Sequence, residues 1–356
     1  MAAIDRLFEA MLTNSASDLH MAQGEPPKYR IHGEILPVDE PALDAETLSA
    51  MLQEICEPER WQSFVSCGDL DFAYALGDRA RFRANYYRHT HGMGAVFRLI
   101  PSKILTLDDL AMPPILKDMA QLRHGLVLVT GATGSGKSTT LAAMIDFINA
   151  NFCRTVLTIE EPIEIVHPPK RSVIIQREVG SEAHSFAQAL HVAVHQDVDV
   201  ILVGEMRDLE TIGLALSAAE MGVLVFGTLH TNSAPKSVDR IVDVFPVDQQ
   251  AQIRTMLADS LQGIISQTLM RTQDGKGRLA AVEILVRSAA IATSIREGET
   301  NKIQSQMIAS KSLGMQLMDD SIQVLLDQGK ISGETAYLVS QDKERFQRFA
   351  PGGALA

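Results

Sequence analysis

A chain of 356 residues with 46% hydrophobic content has the apolar mass for two packed domains of roughly 150 residues each. Its net charge of -12 creates no field that gathers phosphate backbones, so nucleic acid is a poor default partner. Cys56, Cys67 and Cys153 form no C-x-x-C pair, which speaks against a zinc knuckle and a disulfide framework. No signal-peptide pattern and no apolar run near 18 residues is present, so a cytosolic protein with at most peripheral membrane contact is expected.

Ile4, Leu7, Phe8, Met11 and Leu12 recur at helical spacing and predict an amphipathic helix over 4–13. Its polar face lacks the lysines and arginines of a membrane-surface helix, so it is read as closing a core. Residues 26–38 predict a hairpin turning at Gly33, and 44–64 read as helical. In Asp69–Tyr74, Leu70, Phe72 and Tyr74 face one way. Phe82, Ala84 and Tyr86 then lie on one face of a strand with Arg79, Arg81 and Arg83 on the other. Arg98, on the strand after it, extends that stripe. A solvated face and a phosphate-reaching set of guanidinium groups are both open readings of these arginines. Prolines at 101, 113 and 114 mark a linker, placed at 101–115, between an N-terminal domain over 1–100 and a second domain over 116–356.

The second domain opens on Leu126–Thr130, an apolar strand pattern running into Gly131-Ala-Thr-Gly-Ser-Gly-Lys-Ser138. Strand, glycine-rich turn and helix in that order read as a P-loop, in which backbone N–H groups approach nucleotide phosphates closely. Gly131, Thr133, Gly134, Ser135, Gly136, Lys137, Ser138 and Thr139 are the candidate phosphate contacts. Lys137 would neutralise the outer phosphates and Ser138 would offer a hydroxyl to Mg2+, with the positive end of the following helix aimed at both.

Thr155–Ile159 is a short buried-strand pattern ending in the acids Glu160, Glu161 and Glu164. In a parallel sheet this is the ligand edge, so Glu160 and Glu164 are candidates to hold the metal or polarise water. A helix over 185–196 would carry Phe186, Leu190 and Val194 inward and place His191 and His195 on one face, a polar face more readily than a metal site. Asp199–Gly204 is another apolar strand, ending in Glu205, which is positioned to orient an attacking water or hold the metal through one. A helix at 211–221 and a strand at 223–228 lead to His230, a third strand end able to sense a terminal phosphate. Ile253, Met256, Leu257, Leu261, Ile264, Ile265 and Leu269 fit one stripe of a long amphipathic helix, followed by a turn at 275–277 and a strand at 279–286. The tail from Ala290 reads as helical and polar, fraying at 349–353.

Four motifs in order, Gly131–Ser138, Thr158-Ile-Glu-Glu-Pro-Ile-Glu164, Val200–Asp208 and Gly227-Thr-Leu-His-Thr-Asn-Ser233, resemble the Walker A, Asp box, Walker B and His box of the secretion ATPase superfamily. The resemblance is closest to the type IV pilus retraction ATPases of the PilT/PilU family. It implies an α/β fold: a RecA-like P-loop ATPase core with a smaller α+β, PAS-like N-terminal domain. It also implies a hexameric ring that hydrolyses ATP to ADP with Mg2+ and drives pilus retraction against an inner-membrane platform protein of the PilC kind. By the same resemblance Glu205 is the catalytic glutamate, Glu160 and Glu164 support metal or water, and His230 couples nucleotide state to shape. Arg81, Arg83 and Arg98 match the family's N-domain arginines that reach the phosphates. Here Glu161 replaces an aspartate, His191 and His195 stand where arginines are usual, and Val198 replaces a proline. The tail motif reads Ala290-Ile-Ala-Thr-Ser-Ile-Arg-Glu297 with an altered core. A main retraction motor and an accessory paralogue working beside one are both open, as are a nucleotide-binding subunit with little turnover and a RecA-like nucleic-acid motor.

Overall fold

In the computed structural model, which describes residues 2–31, 33–77, 79–100, 103–193, 195–275 and 277–351, the chain divides into two units. The first comprises Met1–Lys103 with Glu161–Val166. Its elements are α1 (Asp5–Thr13), β1 (Asp18–Ala22), β2 (Lys28–Ile31), β3 (Glu34–Pro37), α2 (Ala45–Glu54), α3 (Pro58–Cys67), β4 (Asp69–Leu76), β5 (Ala80–His89) and β6 (Gly92–Ile100). The six strands form an antiparallel sheet in the order β3-β2-β1-β6-β5-β4. Alternation along β5 does what its pattern predicts: Phe82, Ala84 and Tyr86 are fully buried. Phe8 of α1 stacks on Phe82 at 4.3 Å and meets Phe97 edge-on at 5.0 Å, so the N-terminal helix is core. The helix expected over 44–64 is two helices. The break falls at 55–57, where Glu57 adopts an extended backbone and Pro58 opens α3. His32, near the hairpin turn, lies outside the described residues.

The second unit comprises Ile104–Glu160 and His167–Ala356. Ile104 onward belongs with it, and Leu107 is buried in its core; Pro101 lies outside the described residues. Its first half runs α4 (Ile115–Gln121), β7 (Gly125–Thr130), α5 (Lys137–Asn151), β8 (Thr155–Glu160), β9 (Val173–Glu178), α6 (Phe186–Ala193), β10 (Val200–Val203), α7 (Leu209–Glu220) and β11 (Leu224–Leu229). The second half adds α8 (Ala234–Asp243), α9 (Val247–Ser260), β12 (Leu261–Arg271), β13 (Arg278–Val286), α10 (Ala289–Glu297), α11 (Ile303–Ala309), α12 (Met318–Asp327) and α13 (Gly333–Val339).

Seven strands in the order β13-β12-β7-β11-β10-β8-β9 make a sheet that is parallel except for β12 against β13. Leu126 and Leu128 of β7 enter one core and Val127 and Val129 the other, so the sheet is covered on both faces. That explains why its strands read as uninterrupted apolar runs.

The long helix expected through Leu269 does not form as one element. Helix α9 stops at Ser260, and Leu261–Arg271 is a strand pairing with β7 and β13. An apolar run from Leu261 to Ile265 satisfies a helical and a buried-strand pattern alike, and the sheet edge decides between them. Helix α6 likewise ends at Ala193, before His195; Val194 lies outside the described residues, as do Lys276 of the expected turn and Gly352 and Gly353 of the tail. Strand β9 and helix α8 have no counterpart in the sequence reading.

Candidate active site

Parallel pairing sets the site. Leu229 is level with Thr130, and Val203 is level with both Gly227 and Ile159. The chain therefore leaves β7, β11, β10 and β8 along one carboxyl edge, where it carries in turn the P-loop, His230, Glu205 and Glu160. This is the edge at which open α/β sheets bind ligands.

At the P-loop, Gly131 has a φ of 147°, and a Cβ there would lie 2.4 Å from the Gln267 carbonyl oxygen and 2.5 Å from Ser135 Oγ. No side chain fits that position. Lys137 begins α5 and folds back over the loop, donating from Nζ to the carbonyls of Gly131 at 2.8 Å and Ala132 at 3.1 Å. Thr133, Gly134 and Ser138 line the loop and first turn of α5 and are exposed, and Thr139 beside them is half-buried. The 15-residue α5 directs the positive end of its dipole into the same loop.

Glu160 ends β8 and accepts from Thr158 Oγ1 at 2.7 Å and Gln176 Nε2 at 3.3 Å. Gln176 lies on the unforeseen β9. Gly204 sits directly beside this acid, and a Cβ there would be 3.1 Å from the Ile159 carbonyl and 3.2 Å from Glu160 Cα. The backbone of β8 thus explains the glycine that stands where many P-loop proteins carry an aspartate.

Glu205 Oε1 lies 3.0 Å from His230 Nε2, while Arg207 closes a two-pronged pair on its carboxylate, with Nη2 to Oε2 at 2.7 Å. Burial opposes ionisation of Glu205, but the hydrogen bond and charge of Arg207 and the neighbouring His230 outweigh it and hold the carboxyl below its ordinary range. The adjacent Asp208 does other work: it caps α7 by accepting from the Thr211 N–H at 2.8 Å.

Within the first unit, Arg83 and Arg98 face each other across β5 and β6, and Asp18 of β1 is level with Arg98. Arg98 donates from Nε to Asp18 at 2.8 Å, Arg83 pairs with Asp71 at 3.3 Å and with Glu164 at 3.5 Å, and Arg81 donates to the Ile163 carbonyl at 3.2 Å. Glu164 is therefore placed beside an arginine of its own unit. Sequence pattern does not reveal the acid partner Asp18, because only strand register brings it level with Arg98. His191 and His195 approach with ring centres 6.4 Å apart, and among the described residues no group of three or more His, Cys, Asp or Glu side chains is placed to hold a metal. Oxygen donors on Ser138, Glu160 and Glu205 nonetheless suit Mg2+, a hard cation that keeps several waters and binds through a few protein oxygens together with substrate phosphates.

A model of the type II/IV secretion system protein family matches residues 1–315 of the chain. The chain belongs to that family. It is 46% identical over 343 residues to the type IV pilus retraction ATPase PilT of Pseudomonas aeruginosa, covering 96% of this chain and 99% of the relative. A twitching motility protein of Neisseria gonorrhoeae is 48% identical over 318 residues, covering 89% of this chain and 85% of its own length. The solved structure of the pilus retraction motor PilT with bound ADP superposes with a TM-score of 0.88 at 42% identity, covering 98% of this chain and 99% of that one. The resemblance carried by the four motifs is borne out, as is the α/β ATPase fold it implied. No helix among the described residues is long and apolar enough to cross a membrane.

Proposed function

We propose that this chain is an ATPase motor of type IV pilus retraction, which hydrolyses ATP to ADP and phosphate and drives twitching motility. The observation that carries the reading is the shared carboxyl edge, where the P-loop, His230, Glu205 and Glu160 leave four neighbouring strands. Residues Gly131 to Thr139 hold the phosphates through backbone N–H groups and Lys137, which exchanges its loop carbonyls for phosphate oxygens. Ser138, Glu160 and Glu205 would hold Mg2+, and that ion would neutralise charge developing on the phosphates. Glu205 orients the attacking water. Its depressed pKa keeps it ionised at neutral pH, and the catalytic gain comes from positioning and charge stabilisation. His230, hydrogen-bonded to Glu205, passes nucleotide state to the start of α8.

The chain works as a homo-hexamer in which Arg81, Arg83 and Arg98 serve the nucleotide of a neighbouring subunit. It sits in the cytoplasm against an inner-membrane platform protein of the PilC kind. The altered tail motif on α10 favours a second reading, an accessory subunit that joins a paralogous retraction ATPase and turns over little by itself. ATPase assays on the purified chain separate the two, since a main motor hydrolyses ATP unaided. Lys137→Ala should abolish turnover and weaken ADP binding at least roughly tenfold, because the phosphates lose their principal cation. Wild-type turnover in Lys137→Ala would overturn the nucleotide assignment.

A further inference from the structure

Gln267 lies on β12, one residue beyond Ser266, which is level with the last residue of β7, Thr130. Its side chain passes under the P-loop. Nε2 donates to the Ser135 carbonyl at 2.6 Å, and both residues are buried. The Gln267 backbone carbonyl is the atom that a Cβ on Gly131 would strike, and its Nε2 is 3.0 Å from where a Cβ on Gly136 would lie. One residue thus touches the loop at its entrance, its floor and its exit. Gln267 Oε1 and Ser135 Oγ are both buried with no hydrogen-bond partner among the described residues, an arrangement that packing alone would not favour at the base of a loop.

A trans peptide directs its C=O and N–H to opposite sides. Tying the Ser135 carbonyl down to Gln267 therefore aims the Gly136 N–H of the same peptide up into the loop, where a phosphate oxygen is to be received. Gln267 and Ser135 are 132 positions apart in sequence, so no local motif includes the glutamine. Only the pairing of β12 with β7 brings the two together.

We propose that Gln267 is a positioning residue of the nucleotide site, fixing the Ser135–Gly136 peptide so that its N–H meets the phosphates. The inference rests on the ATPase reading and deepens it. The interaction is made alike with bound nucleotide and with the transition state, so its loss appears in KM more than in kcat. The test is the full-length Gln267→Met protein, which keeps the side-chain volume and removes the donor. ADP binding, KM, kcat, oligomer mass and amide hydrogen exchange over 131–138 are measured beside wild type. The expected result is an ADP Kd and KM raised roughly tenfold, kcat lowered less than about threefold, and faster exchange confined to the loop. Gln267→Asn, whose amide is one methylene too short, should behave as Gln267→Met does. Unchanged ADP affinity and loop exchange in both variants, with wild type binding normally, overturns the role of Gln267 alone. A wild-type protein that binds no ADP overturns the ATPase reading and this inference with it. Should Gln267→Met lose its assembly, loop exchange in the assembled Gln267→Asn protein decides, and unchanged exchange there counts against the proposal.

Discussion

Glu205 is held by Arg207 and His230 on an edge that is otherwise apolar behind it. Its folded pKa is depressed from the ordinary 4.5, so its ionised form contributes stability that is present above that value and is lost as pH falls through the lowered one. The group is partly exposed, which keeps the contribution below about 1 kcal/mol. Glu205→Gln should therefore melt slightly lower than wild type at pH 7, with the gap closing below about pH 4.5. Its turnover at pH 7 should fall by roughly 10²- to 10⁴-fold while ADP still binds. A melting gap that widens in acid would show that the pairing has the opposite sign.

At the level of elements, the buried Glu283 of β13 joins two helix starts. Its Oε1 accepts from the Ala234 N–H at the head of α8 at 2.7 Å, and its carboxylate also accepts from the Met318 N–H at the head of α12. Burial raises its pKa despite those two hydrogen bonds, with Asp319 adding to the rise. A raised carboxyl costs stability once pH exceeds its ordinary value, and the cost is relieved as pH falls. Glu283→Gln keeps an acceptor without the charge, so it should unfold within about 1 kcal/mol of wild type at pH 8. Glu283→Leu leaves two helix-terminal N–H groups unpaired and should lose about 3 kcal/mol, read by denaturant unfolding. Equal losses in the two variants would place the effect in packing.

These elements also mark how far the sequence can be read. Strands β7, β8, β10 and β11 are legible because burial on both faces makes them plain apolar runs. Strand β9 is not, since it is an edge with Val173 and Ile175 exposed and no core pattern to display. The α9–β12 boundary is hidden by apolar residues that fit both periods. Gln267 and Asp18 carry no motif at all; their roles come from register between distant strands, which local spacing does not encode.

At the scale of the whole molecule, Arg83 and Arg98 of the first unit are already paired with acids of that unit. Asp18 is buried and held below its ordinary range: burial opposes ionisation, but the Ser17 hydroxyl and Arg98 outweigh it. Arg98 nevertheless keeps most of its side chain in solvent, so it can exchange Asp18 for a phosphate without unburying a guanidinium group. If that phosphate belongs to a neighbouring subunit, the arginine and the P-loop are contributed by different chains. Arg98→Ala and Lys137→Ala proteins should then each be inactive alone for different reasons. Mixed before assembly, they should regain turnover, because an Arg98→Ala subunit with an intact P-loop can sit beside a Lys137→Ala subunit with an intact arginine. At equal amounts and random assembly, about a quarter of the sites are complete, which sets the ceiling on recovered rate for independent sites. Assembled mixtures that stay inactive at every ratio, while each protein still forms rings by mass, would assign the arginine to its own subunit's nucleotide.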